Sequence, residues 1–185
     1  VQPSESLGFA PRIWAVGALC RAIADPDPET GVPRGEALEI LVPTNEDERH
    51  ATAMLQGLGA RFHRISFGDI WLRDTAPIFV HKSDGSVAAA RFKFNGWGNK
   101  YQLRFDDQVS KNITKASALP ELNFDWILEG GSLDVDGLGT CLTTTQCLLN
   151  PNRNPTLSQA QIEKRLEESL GITKTLWLGE GLIND

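Results

Sequence analysis

Positive charge is scarce in this chain. Its 185 residues carry 18 Lys and Arg against 24 Asp and Glu, a formal net charge of −6. Nucleic-acid binders favour basic patches, so this balance argues against a nucleic-acid partner. It suits a cationic ligand, although an acidic balance is common in soluble proteins. Long apolar runs are also missing. None approaches the roughly 18 residues of a spanning helix, which argues against a membrane. No charged leader with an apolar core opens the chain. The first residue is Val1 rather than Met, so that silence carries no information.

Cysteine and histidine are thin, three of each. An odd cysteine count without dense spacing argues against a disulfide scaffold and for a reducing, cytoplasmic setting. Cys141 and Cys147 are too irregularly placed for zinc, and the His residues are scattered, so no metal site is expected. Cys20, Cys141 and Cys147 are each read as small buried hydrophobes.

What the chain does have is glycine and proline, 17 and 10 of them, as befits many tight turns between short strands. The 41% apolar and 23% charged fractions are those of an ordinary globular protein. The length fits a single domain, residues 1–185.

Periodicity predicts a helix over Ile13–Ala24, a Pro-rich loop over Asp25–Gly35 and a buried strand over Leu38–Val42. Thr44-Asn45, with Glu48 beyond, offers an N-cap for a helix running through Leu58 to Gly59. Arg61–Phe67 alternates as a strand does. Ile78–His81 and Val87–Phe94 read as strands joined at Ser83-Asp84-Gly85. A helix is expected over Asp106–Ala118, then strands over Phe124–Leu128 and Leu133–Val135. Asp136-Gly137-Leu138-Gly139 is a hairpin turn into Thr140–Thr144. Leu157–Leu170 is an amphipathic helix, capped at Thr156 or Ser158 and closed by Gly171. Ile172–Leu178 is a last strand. Strand pairs interrupted by helices fit repeated ββαβ units, but no fixed sequence period is visible. Periodicity alone supports mixed α/β.

Chemistry concentrates in the strand-to-strand segments. Asp69-Ile70-Trp71-Leu72-Arg73-Asp74-Thr75-Ala76-Pro77 places a Trp, an Arg and an Asp together. Pro77 biases Ala76 away from helix, so Asp74 is expected on an extended turn. A carboxylate beside an indole suits a planar cation such as a guanidinium. The acid accepts paired N–H bonds and the ring covers the flat face. The alternative is a surface loop with an incidental ion pair. Further on stand Phe94-Asn95-Gly96-Trp97-Gly98-Asn99-Lys100-Tyr101, Glu129-Gly130-Gly131-Ser132, and Cys147-Leu148-Leu149-Asn150-Pro151-Asn152-Arg153-Asn154-Pro155.

This ordered set resembles the agmatine deiminase and bacterial peptidylarginine deiminase family, from about Ile65 to the end. The resemblance implies an α/β fold, an incomplete five-fold pseudo-symmetric propeller of ββαβ units. It also implies deiminase chemistry. A thiolate attacks the guanidinium carbon, giving an amidino-thioether and ammonia, and water then gives a ureido product. No cofactor is implied. Asp74 matches the acid of W-x-R-D and Glu129 that of E-G-G. Both are expected to bind guanidinium nitrogens as catalytic carboxylates, with a salt bridge or turn acid as the alternative. Trp71 is expected against the substrate stem or in the core, and Trp97 as a wall of the site. Arg73 braces its loop. Asn152-Arg153-Asn154-Pro155 reads as a structural turn, its Arg bonding backbone carbonyls.

Family members carry a G-H-V-D motif soon after Leu182-Ile183-Asn184-Asp185 and a nucleophilic Cys later still. The chain is therefore read as the N-terminal portion of a longer enzyme, with the remainder beyond Asp185 as its partner. A homo-oligomer stays open. Residues 95–100 hold no R-x-R pair to grip a carboxylate, and Glu129 is retained. Both features favour agmatine over peptidyl or free arginine. Ala76 stands where Gly is usual, and Asp134 where His is frequent. A non-catalytic guanidinium-binding module is the third reading.

Overall fold

The computed structural model describes residues 6–181, with side chains from residue 14 onward. The Val1 start and the Leu182–Asp185 end therefore lie outside the described residues, as does the Ile13 side chain. The chain divides into two compact units, Val1–Ser66 and Phe67–Asp185. No described helix is long and apolar enough to cross a membrane.

The first unit holds α1 (Ser6–Ala24), β1 (Glu39–Val42), α2 (Asn45–Met54) and β2 (Arg61–Arg64). β1 and β2 pair in parallel, Glu39 opposite Arg61 and Val42 opposite Arg64, which makes a βαβ crossover. Cys20, Ala24, Leu38, Leu55 and Leu58 form its buried core. α1 starts earlier than the sequence predicts. α2 stops at Met54 rather than Leu58, and residues 55–59 turn instead, ending at Gly59 with φ +66°. Thr44 caps α2, its hydroxyl accepting from Asp47 N–H at 3.2 Å, so the partner is Asp47 and not the expected Glu48. The Pro-rich segment is tied down. Arg34 pairs with Asp25 at 3.2 Å and with Asp27 at 3.3 Å.

The second unit repeats one topology twice. The first module is β3 (Ile78–His81), β4 (Val87–Lys93), α5 (Asp106–Ser117) and β5 (Glu121–Ile127). β3 and β4 are antiparallel, while β4 and β5 are parallel across the α5 crossover. The second module is β6 (Asp134–Val135), β7 (Thr140–Thr144), α7 (Gln159–Leu170) and β8 (Lys174–Leu178), with the same antiparallel and parallel pairings. These are the ββαβ units expected. Three single turns accompany them: α3 (Leu72–Thr75) before the first module, and α4 (Gly96–Asn99) and α6 (Thr145–Leu148) within the first and second.

The modules share a core. Trp126, Leu128, Leu133, Cys141, Leu148, Ile162, Leu166 and Ile172 are buried together, with Phe92, Phe124 and Trp177 packed against them. Ala88, Ala89 and Ala90 are fully buried along β4. Such small side chains let neighbouring layers approach the strand closely. Ser158 caps α7 in a capping box with Gln161, and Gly171 closes it at φ +70°.

Candidate functional site

Three of the motif loops border strands of the second unit, and two of them, at Trp97 and Gly131, meet Asp74. This acid lies in the helical turn α3, not on the extended turn expected; only Ala76 is extended, at φ −79° and ψ 164°. The helical turn closes because the Trp71 carbonyl accepts from Asp74 N–H at 3.0 Å and Thr75 N–H at 3.2 Å. Pro77 then releases the chain into β3.

The Asp74 carboxylate is held from two sides. Oδ2 accepts from the Trp97 indole N–H at 3.0 Å, and Oδ1 accepts from Gly131 N–H at 2.9 Å. A carboxylate offers about four acceptor positions, so Asp74 keeps capacity for a further donor. Both glycines after Glu129 are needed for this approach. A Cβ on Gly131 would fall closer than 3.0 Å to Asp74 Oδ1, and one on Gly130 closer than 3.0 Å to the Arg73 carbonyl. Arg73 donates to the Leu133 carbonyl at 3.3 Å, bracing the loop as expected.

Trp97 reaches Asp74 from a left-handed turn. Gly96, Trp97, Gly98 and Asn99 have φ of +67°, +56°, +73° and +67°. For Trp97 this conformation costs about 1–2 kcal/mol, so its surroundings must impose it. Phe94 meets its ring edge-on at 4.9 Å and Tyr101 at 6.3 Å. Asn95 accepts from Gly98 N–H at 2.9 Å, and a Cβ on Gly98 would collide with the Asn152 side chain.

Glu129 is 2% exposed. Its Oε1 accepts from Arg153 Nε at 3.0 Å, and its Oε2 is buried with no donor. Arg153 therefore serves a carboxylate rather than the backbone carbonyls expected of it. Its Nη1 donates to Asn152 Oδ1 at 3.0 Å, while Asn95 donates to the Asn152 carbonyl at 2.9 Å. Asn154 mimics a strand, bonding Ile127 N–H and C=O at 3.0 and 2.9 Å. A ring results: Glu129, Gly131, Asp74, Trp97, Asn95, Asn152, Arg153 and back to Glu129. Trp71, 55% exposed, precedes α3, the turn that carries Asp74.

Sequence reasoning missed Arg153, Asn152 and Asn95 as parts of this ring. The signal available was two Asn and an Arg between Pro151 and Pro155, side chains that bond nearby backbone in turns. A glutamate is rarely fully buried unless paired, which pointed to a cation near Glu129 without saying which.

The cysteines lie elsewhere. Burial pushes the Cys20 and Cys141 thiols up, away from the thiolate form, and Cys147 is half-buried on α6. A surface hollow of about 400 Å³ beside α7 and β8, lined by Glu163, Lys164, Glu167 and Thr175, shares no residue with the ring.

Residues 8–185 match the model of the Porphyromonas-type peptidyl-arginine deiminase family. An agmatine deiminase of Pseudomonas aeruginosa (strain LESB58) is 38% identical over 184 residues, covering 96% of this chain and 47% of the relative. One from Medicago truncatula is 42% identical over 138 residues, covering 68% of this chain and 37% of the relative. Among solved structures, a C. jejuni agmatine deiminase with substrate bound superposes with a TM-score of 0.81 at 28% identity, covering 97% of this chain and 50% of that one. An Enterococcus faecalis agmatine deiminase does so with 0.79 at 32%, covering 92% and 46%. The chain thus spans about half the length of the curated relatives it matches.

Proposed function

The chain belongs to the Porphyromonas-type peptidyl-arginine deiminase family, and on that premise we propose that it forms the guanidinium-binding part of an agmatine deiminase. The observation that carries this reading is the buried Glu129, whose Oε2 has no donor, two residues from the Gly131 N–H that a second carboxylate, Asp74, accepts. A buried acceptor without a donor costs about 1–3 kcal/mol, so a ligand that donates there is favoured. A guanidinium brings five N–H donors in a plane and a permanent charge.

In this reading Asp74 and Glu129 pin the outer nitrogens and fix the plane of the substrate. The indoles of Trp71 and Trp97 cover its apolar stem. A thiolate and a base supplied from outside these 185 residues complete the chemistry. Sulfur bonds to the guanidinium carbon, ammonia leaves with the proton the base provides, and water cleaves the thioether. Agmatine and water become carbamoylputrescine and ammonia, a step toward putrescine. The proposal extends to a cytoplasmic setting and to the two units as successive parts of one propeller domain.

Two features bear on the substrate. The turn at residues 95–100 offers Lys100, lying 5.6 Å from the Tyr101 ring, but no arginine pair for a carboxylate. Glu129 supplies a second negative charge, which an amine tolerates. The alternative, a peptidyl- or free-arginine deiminase, draws on the family description itself. Release of ammonia and ureido product from agmatine, free arginine and C-terminal peptidyl arginine by the full-length protein decides between them. Preference for agmatine is expected, and preference for peptidyl arginine moves the protein to the alternative. Binding without turnover leaves a guanidinium-binding module. The 185 residues assayed by themselves are expected to be inactive; turnover by them would sink the assignment of the thiolate elsewhere.

A further inference from the structure

We propose that Arg153 is a positioning residue for substrate binding, acting through Glu129. This rests on the guanidinium-binding reading above and adds a residue to it.

The argument begins with burial. The side chains of Arg153 and Glu129 are 11% and 3% exposed, so their ion pair is largely withdrawn from water. A lone carboxylate at such a site is costly, and it neutralises itself or moves toward solvent. Arg153 supplies the buried cation that pairs with it, at 3.0 Å. The bond is also one-sided. Nε engages Oε1 alone, at 3.0 Å, although a guanidinium can grip both oxygens of a carboxylate. Nη1, on the opposite edge of the guanidinium from Nε–H, donates to Asn152 Oδ1 at 3.0 Å. Oε2 is left buried without a donor. A two-pronged pair would consume both oxygens of Glu129; this geometry engages one and spares the other.

Charge balance points the same way. Asp74 and Glu129 bring two negative charges and Arg153 one positive. The remaining single negative charge matches one guanidinium. Asn152 anchors the far edge of the Arg153 guanidinium through Nη1, and Gly98 leaves its side chain room. The same asparagine accepts from Asn95, at the turn that carries Trp97. The orientation of Glu129 is thus coupled to the turn that steadies Asp74.

The test uses the full-length protein with agmatine as the probe, and compares Arg153→Met, Glu129→Gln and the double variant. Arg153→Met is expected to raise KM about ten-fold or more, with a smaller change in kcat. In the Glu129→Gln background the same substitution is expected to add less than about two-fold, because residues acting as one unit are not additive. Arg153→Lys, which keeps the charge but loses the Nε–H geometry, is expected to lie between wild type and Arg153→Met, and it carries the comparison should Arg153→Met fail to fold. In a crystal structure of either variant the Glu129 carboxylate is expected to leave its place while the Gly130-Gly131 backbone stays. Effects that multiply in full, an unchanged KM, or a Glu129 that does not move would each overturn the role of Arg153. A wild-type protein that ignores agmatine would sink the substrate assignment alone, since the position of Glu129 in the variant structures still decides this proposal.

Discussion

α7 begins at Ser158 with a capping box and ends on Gly171, whereas α5 follows a left-handed Phe105 at φ +79° and ends on a left-handed Ala118 at +54°. The two helices hold the same place in their modules, each crossing from the middle strand to the parallel third strand. Regularity marks the second module, where the hairpin turn and helix caps follow local preference. Irregularity marks the first, where β4 runs into the left-handed Trp97 turn and β5 into the Glu129 bend. Asp106, the first residue of α5, is buried and accepts from Gly68 N–H at 2.6 Å. It spends its side chain on holding the loop that leads to Asp74, not on capping its own helix. Strain and buried charge gather where the ring of motif loops forms, and the surrounding fold must supply the stability to keep them.

The comparison breaks most sharply at Asp74. In the full-length protein, Asp74→Asn is expected to lower agmatine kcat/KM by roughly ten- to hundred-fold at least, since an amide loses the charge and turns a donor toward the guanidinium. Arg73→Lys keeps a donor for the Leu133 carbonyl and should cost far less. Steady-state kinetics of both variants measure the ratio. A near-wild-type Asp74→Asn enzyme removes Asp74 from the site.

Next in size is a pair of glycines. Gly130→Ala drives a Cβ into the Arg73 carbonyl and should cost about 3 kcal/mol, because backbone must move. Gly137→Ala in the β6–β7 hairpin meets nothing within 4 Å, and only its φ of +73° opposes it. Its cost should be about 1 kcal/mol. Urea denaturation of the two variants compares them, and equal losses would mean that Gly130 is not there for close approach.

A smaller effect comes from exchanging the helix ends. Ala118→Gly should stabilise the chain by up to about 1 kcal/mol, giving α5 the terminator that α7 already has. Gly171→Ala should destabilise by a similar amount. A rise in melting temperature for the first and a fall for the second is expected. A fall for both would show that Ala118 is packed rather than strained.

The smallest effect is one the modules share. Asp84 accepts from the Ser86 hydroxyl and N–H, which holds its carboxyl down from 3.8 to about 2. Asp136 is held low in the second hairpin by the Leu138 and Thr140 N–H groups. A carboxyl whose folded value is depressed stabilises the fold above its unfolded value, and the benefit fades as pH falls through the folded one. The destabilisation caused by Asp84→Ala should therefore be present at neutral pH, shrink below about 4 and vanish near 2. A gap between variant and wild type that stays constant down to pH 2 would contradict the turn's dependence on charge.

Much of this molecule is determined locally. Ile78–His81 and Thr140–Thr144 are strands with the bounds that alternation and turn residues predict, and Ser158 and Gly171 delimit α7 by capping chemistry alone. The order of the four motifs carries the family. Tertiary structure decided the rest. Asp74 is helical because the Trp71 carbonyl is placed to close a turn, and Trp97 is left-handed because an acid 23 residues away claims its N–H. Arg153 leaves the backbone for Glu129 because a buried carboxylate must find a cation, whatever lies near it in sequence. Such bonds join loops that periodicity treats as separate, and their energies depend on burial. Burial is set by what packs around a side chain, not by its immediate neighbours in the chain.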